Sequence, residues 1–565
     1  MATSSSSKQT DKSPRPVIVI TGANSGVGFG LAQRLLVQLS SPTPSDTLPT
    51  HPHLTKRDIT VPPTPFAAPE GCTLVMACRN AMKAHRARAQ LLNLLHYLEE
   101  LPDEAETPTH IPVAVLDQST DIKINGHIDE DADPALVAQA MEASLRRRRR
   151  RNAAISNAKE NGFSVAGEGS EPKDLTRDPR TGRTYSMRER EAKARGRYRR
   201  RFVAGTKIEI QAIDLGSMAS ALQCAKDITA RHGYVTHVVM NAGSAAFTGI
   251  NWPHAIWMMM INFHKAVTYP AYKTQRAGDV GKDGYGWVWQ ANVGAHYILA
   301  RALLPALRAT PYSTPSRIIW TSSLEASEAA YDPTDFQCTD KAKSPYPYES
   351  VKYQCELAAH GLEDLLNKRR LRTEPGTPLI DEAGSYLDMR GANHAGHTME
   401  PKSLLAHPGV VASSIFAECL NAFLAAMMHL AFYFARWTFS QHHCIEGYKG
   451  AIAASHVALA PLPLLDPNAR YGSQCDWHGR EYVFKGQKLA WNAEEPSGLA
   501  KEAKTSIVEK YLKRNTNHGL PARPSEVVNA LSRDLIIRCE GVARSVWKQA
   551  HDGALAPFGE LEMEE

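Results

Sequence analysis

The spacing of apolar positions changes period several times along the chain, and each change marks an element. The first patterned stretch is PVIVITGANSGVGFGLAQRLLVQLS. A β-branched run leads into a glycine-rich turn, and apolar residues then recur three and four apart. That order predicts a buried strand, a tight turn and an amphipathic helix. CTLVMACRN predicts a second buried strand, and AMKAHRARAQLLNLLHYLEEL a helix after it. The alternation resumes at TKIEIQAIDLGS. It continues through THVVMNAGS, the helix WQANVGAHYILARALLPAL, the strand SRIIWTSS, a helix starting near Tyr348, the strand-like KSLLAHPGVV and an apolar helix over 422–439.

Strands alternating with helices at this spacing predict an α/β fold, a Rossmann-type doubly wound parallel sheet with long insertions and a C-terminal helical extension. The main folded unit is expected to span 17–460. A polar segment, 1–16, precedes it and is expected to be disordered. Two stretches interrupt it: a Pro/Thr/Ser-rich surface loop at 42–70, and 102–205, where periodicity fades and a basic, disordered or loosely helical insertion is expected. Residues 461–565 read as mixed helix and loop.

Composition changes this picture little. Hydrophobic residues make up 43% and charged residues 22% of the 565, an ordinary globular balance. The net charge of +6 is concentrated in an arginine run at 146–151 and in ARGRYRRR, which ends at Arg201, so it says little about the folded core. No nucleic-acid-binding pattern surrounds the run, and a solvated charge run is expected rather than a nucleic-acid partner. The nine cysteines include no Cys-x-x-Cys pair and no zinc-type spacing with histidine, so reduced thiols on a cytosolic side and no metal are expected. His442, His443 and the His51–His53 pair read as surface residues. The N-terminus lacks the apolar core of a secretory signal.

The candidate chemistry gathers at strand ends. Gly22, Asn24, Ser25, Gly26, Val27 and Gly28 lie between a strand and a helix. Glycines there let backbone amides approach a pyrophosphate at a helix N-terminus. Arg79 follows the second strand, where a guanidinium suits a ribose 2′-phosphate and an acid would suit the bare hydroxyl; NADP(H) is therefore expected. Asp214, and Asn241, Ala242 and Gly243, end the next two strands at the carboxyl edge where such sheets bind ligands. In SPYPYESVKYQ, Tyr348 and Lys352 are one helical turn apart and share a face. A free tyrosine has a pKa near ~10, and a neighbouring ammonium would favour its phenolate.

Taken in order, TGANSGVG, DL, NAG, Asn292 in NVGAHYILA, Ser323 in RIIWTSS, YESVK and HPGVV make the chain similar to the short-chain dehydrogenase/reductase family. The resemblance runs from Val17 to Val411 and implies that Tyr348 donates a proton to a reduced ketone. It also implies that Ser323 hydrogen-bonds the carbonyl, that Lys352 binds the nicotinamide ribose and that Asn292 holds a water. Pro408, Gly409 and Val411 would meet the cofactor. The segment between Ser323 and Tyr348 is longer than the family usually has, which leaves Ser322 as the alternative serine. With IIWTSS, an enlarged loop carrying DFQ, and PY before the tyrosine, the chain resembles the fungal sterol 3-keto reductases. These act on the 3-ketone of C-4 demethylation intermediates. A carbonyl or retinoid reductase, or a scaffold for other sterol enzymes, are the competing functions.

The resemblance also bears on where the protein works. AFLAAMMHLAFYFARW is too short to span a bilayer and reads either as a core or dimer-contact helix or as a membrane-touching lid over the pocket. The expected partners are a sterol, a membrane surface and other sterol-biosynthesis enzymes, with a homodimer admitted. The expected place is the endoplasmic reticulum or a lipid droplet, peripheral and facing the cytosol.

Overall fold

The computed structural model describes residues 13–49, 60–116, 184–373, 399–413, 420–488 and 525–550. Eight strands form one sheet in the order β12-β11-β8-β7-β4-β1-β2-β3. They are β1 (Val17–Thr21), β2 (Thr73–Cys78), β3 (Lys207–Ala212), β4 (His237–Met240), β7 (Arg317–Thr321), β8 (Lys402–His407), β11 (Ala469–Cys475) and β12 (Glu481–Lys488). All neighbours are parallel except β11 and β12. Two small pairs complete the strands: β5 (Phe247–Ile250) with β6 (Lys273–Gln275), and β9 (Val410–Val411) with β10 (His443–Ile445).

The central strands are buried along their whole length, which explains their unbroken apolar runs. Their side chains still alternate between two cores. Val17 and Val19 of β1 face the core under helices Met218–His232, Ala295–Arg308 and Pro347–Thr373. Ile18 and Ile20 face the one under Gly26–Leu39, Ala81–Glu100 and Ile452–Leu459. Each such side chain contributes about 1.5–3 kcal/mol by leaving water. The winding reverses between β1 and β4, and that crevice at the carboxyl edge is where a ligand fits such a sheet.

Four expectations need correction. First, the proline-rich stretch is not a plain surface loop. Asp46 and Phe66 are fully buried. Arg34 pairs with Asp46 at 2.6 Å, and Phe66 sits edge-on to His237 with ring centroids 4.3 Å apart. Phe66 lies at the amino ends of β4 and β7, with the Arg317 guanidinium 5.0 Å from its ring centre, while His237 and Arg317 hydrogen-bond to the carbonyls of Ala458 and Val457.

Second, the insertion is partly built. Helix Met187–Gly205 opens with a reciprocal cap between Ser186 and Glu189. It buries Phe202 and Val203 and packs on helix Ala81–Glu100. Arg199 donates to the carbonyls of Leu101 (2.7 Å) and Pro102 (2.6 Å). The first arginine run lies outside the described residues.

Third, the sheet does not end at 460. Strands β11 and β12 extend it beyond β8, and helix Ser525–Ala550 packs on helix Pro347–Thr373. Its Glu540 pairs with buried Arg301 at 3.1 Å.

Fourth, His442 and His443 are buried rather than superficial. Burial pushes His442 down to about 4 and His443 to about 3, so both stay neutral. His51 and His53 lie outside the described residues. Among the described residues, no helix is long and apolar enough to cross a membrane, and no acidic, histidine or cysteine cluster could hold a metal.

Candidate active site

A cleft of about 1120 Å3 opens at the carboxyl edge of the sheet. Gly22, Asn24, Ser25, Gly26 and Val27 line one end, with Arg79 and Asp214 beside them. Asn241, Ala242 and Gly243 form its floor. Asn292, Ser323, Tyr348 and Lys352 stand together further along, and Pro408, Gly409 and Val411 close the side. Gly28 alone among the expected residues does not line the cleft. A side chain there would collide with the carbonyl of Gly22 and with Asn241, so its glycine serves close packing of the turn. Gly22 adopts φ +68°, a left-handed conformation that favours glycine.

Thr21 ties the turn to the end of β4. Its hydroxyl accepts from the backbone of Asn241 (2.9 Å) and Ala242 (3.0 Å) and bonds His296 at 3.0 Å. The Asn241 amide donates back to the Thr21 carbonyl at 3.1 Å. Burial pushes His296 down to about 4, so it acts as a neutral strut. Asp214 accepts from the backbone of Gly216 at 3.0 Å and shapes its own turn. Arg79 is exposed and lies at the same end of the cleft as Lys83, a cation the sequence pattern did not single out.

Asn292 sits in a single π-helical turn, Gln290–Gly294, inside a run of helix. Its amide donates to the carbonyls of Ser244 and Val288, both at 2.8 Å. Its Oδ1 is buried with no hydrogen-bond partner among the described residues. A side chain on Gly243 would collide with that oxygen and come within 3.6 Å of Lys352 Nζ, so the three groups meet at one point.

Tyr348 is nine-tenths buried, against Phe247 at 5.4 Å between ring centroids. Lys352 Nζ donates to the Thr321 carbonyl at 3.1 Å and lies 5.8 Å from the centre of the Tyr348 ring. Burial drives the phenol well above its ordinary range; Glu325 adds to that, and a hydrogen bond with Ser323 opposes it. The expectation that Lys352 would tilt Tyr348 toward phenolate is thus outweighed by desolvation, and the phenol is held as a proton donor. Burial also lowers Lys352.

The two serines part company. Both border the cleft, but Ser322 is buried and donates to Glu356 Oε1 at 2.5 Å, while Ser323 hydrogen-bonds with Tyr348. Arg470 of β11 supports both: its Nε lies 3.2 Å from Glu356, and its guanidinium donates to the Ser323 carbonyl. Gln275 of β6 accepts from the Tyr348 backbone N–H at 3.0 Å and donates to Glu349 at 2.5 Å. Sequence patterns named none of Arg470, Glu356 or Gln275, because each acts across more than thirty residues of chain.

Beyond Tyr348 the cleft turns apolar. Phe247, Met259, Phe263, Leu424, Met428 and Phe432 line it, drawn largely from helices Trp252–Ile261 and Ala422–Trp437. The backbone cradle at Gly22–Val27, the cations beside Arg79 and the open acceptor of Asn292 fit a phosphorylated dinucleotide, and the apolar end fits a bulky, water-poor substrate.

No family model matches the chain. Among curated proteins, it is 30% identical over 272 residues to a 3-keto-steroid reductase of Kluyveromyces lactis, covering 48% of this chain and 68% of that one. It is 30% identical over 338 residues to 3-keto-steroid reductase ERG27 of Gibberella zeae, covering 56% and 65%. It is 28% identical over 311 residues to the Schizosaccharomyces pombe 3-keto-steroid reductase, covering 54% and 79%. The match thus spans about two thirds of the first two relatives. Among solved structures, salutaridine reductase from Papaver somniferum aligns at 11% identity and a TM-score of 0.34, over 79% of this chain and 96% of that one.

Proposed function

The chain belongs to the 3-keto-steroid reductase family, and from that premise we propose that it is an NADPH-dependent reductase of a 3-ketosterol, an intermediate of C-4 demethylation. The observation that carries this reading is the convergence of Asn292, Ser323, Tyr348 and Lys352 on one cleft whose far end is apolar.

Gly22, Asn24, Ser25, Gly26 and Val27 would hold the pyrophosphate, Arg79 and Lys83 the 2′-phosphate, and Lys352 the nicotinamide ribose. The bound cofactor supplies hydride to the carbonyl carbon. Ser323 and Tyr348 then act on the carbonyl oxygen as charge develops there. Ser323 hydrogen-bonds it, and Tyr348 delivers its proton. Burial favours this role, since the phenol stays protonated until a stronger base, the alkoxide, forms beside it. Lys352 would return a proton to the tyrosine, and Asn292 Oδ1, which meets the Lys352 ammonium near Gly243, would accept from a water that links them. Apolar walls exclude water and seat the ring system.

The test is NADPH oxidation by purified protein against a 4-methyl-3-ketosterol, retinal and a simple quinone. The sterol should be preferred, and Tyr348→Phe should lose most turnover while still binding NADPH. Near-normal reduction by this variant would sink the assignment.

The same reading holds the enzyme at the face of the endoplasmic reticulum or a lipid droplet, with its cleft toward the cytosol. Two helices that wall the apolar end also expose apolar side chains, Trp257 and Met260 on one and Phe423 and Leu430 on the other. Trp437, exposed at the end of the second helix, suits a headgroup boundary, whereas Arg436 beside it is buried and cannot serve there. Changing Leu424, Met428, Leu430 and Phe432 to Ser should release protein from sedimenting membranes. Equal sedimentation of both forms, or full solubility of the intact chain, would refute membrane contact.

A further inference from the structure

A second charged pair lies in the active-site wall and takes no part in the scheme above. Lys273 on β6 and Glu325 on the loop after β7 form an ion pair; their side chains are 5% and 15% exposed. Both line the cleft. Lys273 Nζ stands 4.3 Å from the centre of the Phe247 ring and 5.8 Å from that of Tyr348, the same distance as Lys352 Nζ. Phe247 itself packs edge-on against Tyr348. Tyr348 therefore has an ammonium from its own helix and another from an unrelated hairpin, and the second carries its own carboxylate.

A pair this dry has no evident structural need. Burying two charges costs several kcal/mol before their attraction repays it, and apolar side chains would fill the space more cheaply. The β5–β6 hairpin is already fastened by Gln275, which bonds both Tyr348 and Glu349. What the pair adds is a fixed field at the phenol.

We propose that Lys273 and Glu325 are positioning residues for the reduction, with Glu325 holding negative charge beside Tyr348 so that the phenol keeps its proton, and Lys273 holding Glu325 ionised in a place where it would otherwise be neutral. This rests on the reading of Tyr348 as the proton donor. The other groups facing the phenol are Lys352, Glu349 and Cys355 on its own helix and Ser323 on the β7 loop. Tyr269 and Tyr272 face Glu325 from the segment before β6. The direction of each influence agrees: Glu325 raises Tyr348, and Lys273 opposes the burial that raises Glu325.

The experiment compares Glu325→Gln, Lys273→Met and the double variant, each checked for folding by NADPH binding. Two readouts are taken. One is the alkaline limb of kcat for 3-ketosterol reduction. The other is an ultraviolet difference titration in which Tyr348→Phe, made in each background, isolates the Tyr348 signal. Glu325→Gln leaves an unopposed ammonium and should move both transitions to lower pH by about one unit or more. The double variant, which leaves no unpaired charge, should move them down by a smaller step. Lys273→Met, in which Glu325 loses its counter-charge and turns neutral, should move both transitions down by the same smaller step as the double variant. A purely structural role would lower kcat evenly across pH with both transitions fixed, and that result, in Glu325→Gln or in the double variant if the single fails to fold, overturns the proposal. Should Tyr348→Phe keep its turnover, the proposed mechanism fails on its own account, and the titration still decides whether the pair acts on the phenol.

Discussion

Removing Arg470 tests how the C-terminal strand supports the catalytic loop. Its guanidinium is 16% exposed, and the Glu356 carboxylate it faces is fully buried. Among the described residues, Glu356 has one other partner, the Ser322 hydroxyl. Arg470→Met would leave a buried carboxylate with a single neutral donor. Breaking such a pair from one side costs about 3–5 kcal/mol. The Nε contact has ion-pair distance but not hydrogen-bond alignment, so the lower end, about 3 kcal/mol, is expected. Urea unfolding at neutral pH should show that loss, with a melting temperature lower by roughly 3–4 °C.

The loss should also depend on pH. Burial raises Glu356 above its unfolded value, and Arg470 and Ser322 pull it back. Without Arg470 the native state binds the proton more tightly. Below an unfolded carboxyl pKa of about 4.3 both states are neutral and the deficit vanishes; it grows as pH rises through the window up to the raised native value. Arg470→Met/Glu356→Gln should recover most of the stability, since no buried charge is then left alone. In both variants kcat should fall through the loosened Ser323 loop, while NADPH affinity holds, because Arg470 does not line the cleft. A loss below about 1 kcal/mol, or one that is flat with pH, would refute an ionised Glu356 carried by Arg470.

Arg79→Ala should weaken NADPH by about ten- to a hundredfold and NADH much less, with Lys83→Ala adding to the effect; equal losses in fluorescence titrations would show that neither cation reads the phosphate. Replacing 117–183 with a short Gly/Ser linker should leave folding and turnover intact. Extending the deletion through Gly205 removes buried Phe202 and Val203 and should lower soluble yield sharply; equal yields from the two deletions would mean that helix Met187–Gly205 is dispensable.

The parts of the fold legible in the chain are those whose cause is local. Strands β1, β2 and β4 are apolar throughout because both faces are buried, and the pattern survives without knowledge of neighbours. Tyr348 and Lys352 share a face because one helical turn separates them. The rest depends on distant pairing. The β11 sequence ARYGSQC carries little strand signal, since its place is set by register with β8. Helix Met187–Gly205 is masked by its arginines, and only its cap and Phe202-Val203 reveal it. The choice between Ser322 and Ser323 had no sequence answer, because Glu356 takes up one hydroxyl from across the sheet. Lys273 and Glu325 are fifty-two residues apart, and no local pattern joins them.

Strand β11 also imposes an order of events on biogenesis. Ribosomes deliver the nucleotide-binding turn, the tyrosine helix and β8 well before residues 469–488 emerge. Until then β8 is a sheet edge with open N–H and C=O groups, the kind of template that recruits other chains. The hairpin caps that edge and replaces it with β12, which bears exposed Lys485 as a charged gatekeeper. The same stroke brings Arg470 to the serine loop. Solubility and catalytic competence thus arrive together, late in synthesis, and premature termination between β8 and β11 would yield a polypeptide that has Tyr348 and Lys352 yet is both sticky and inert.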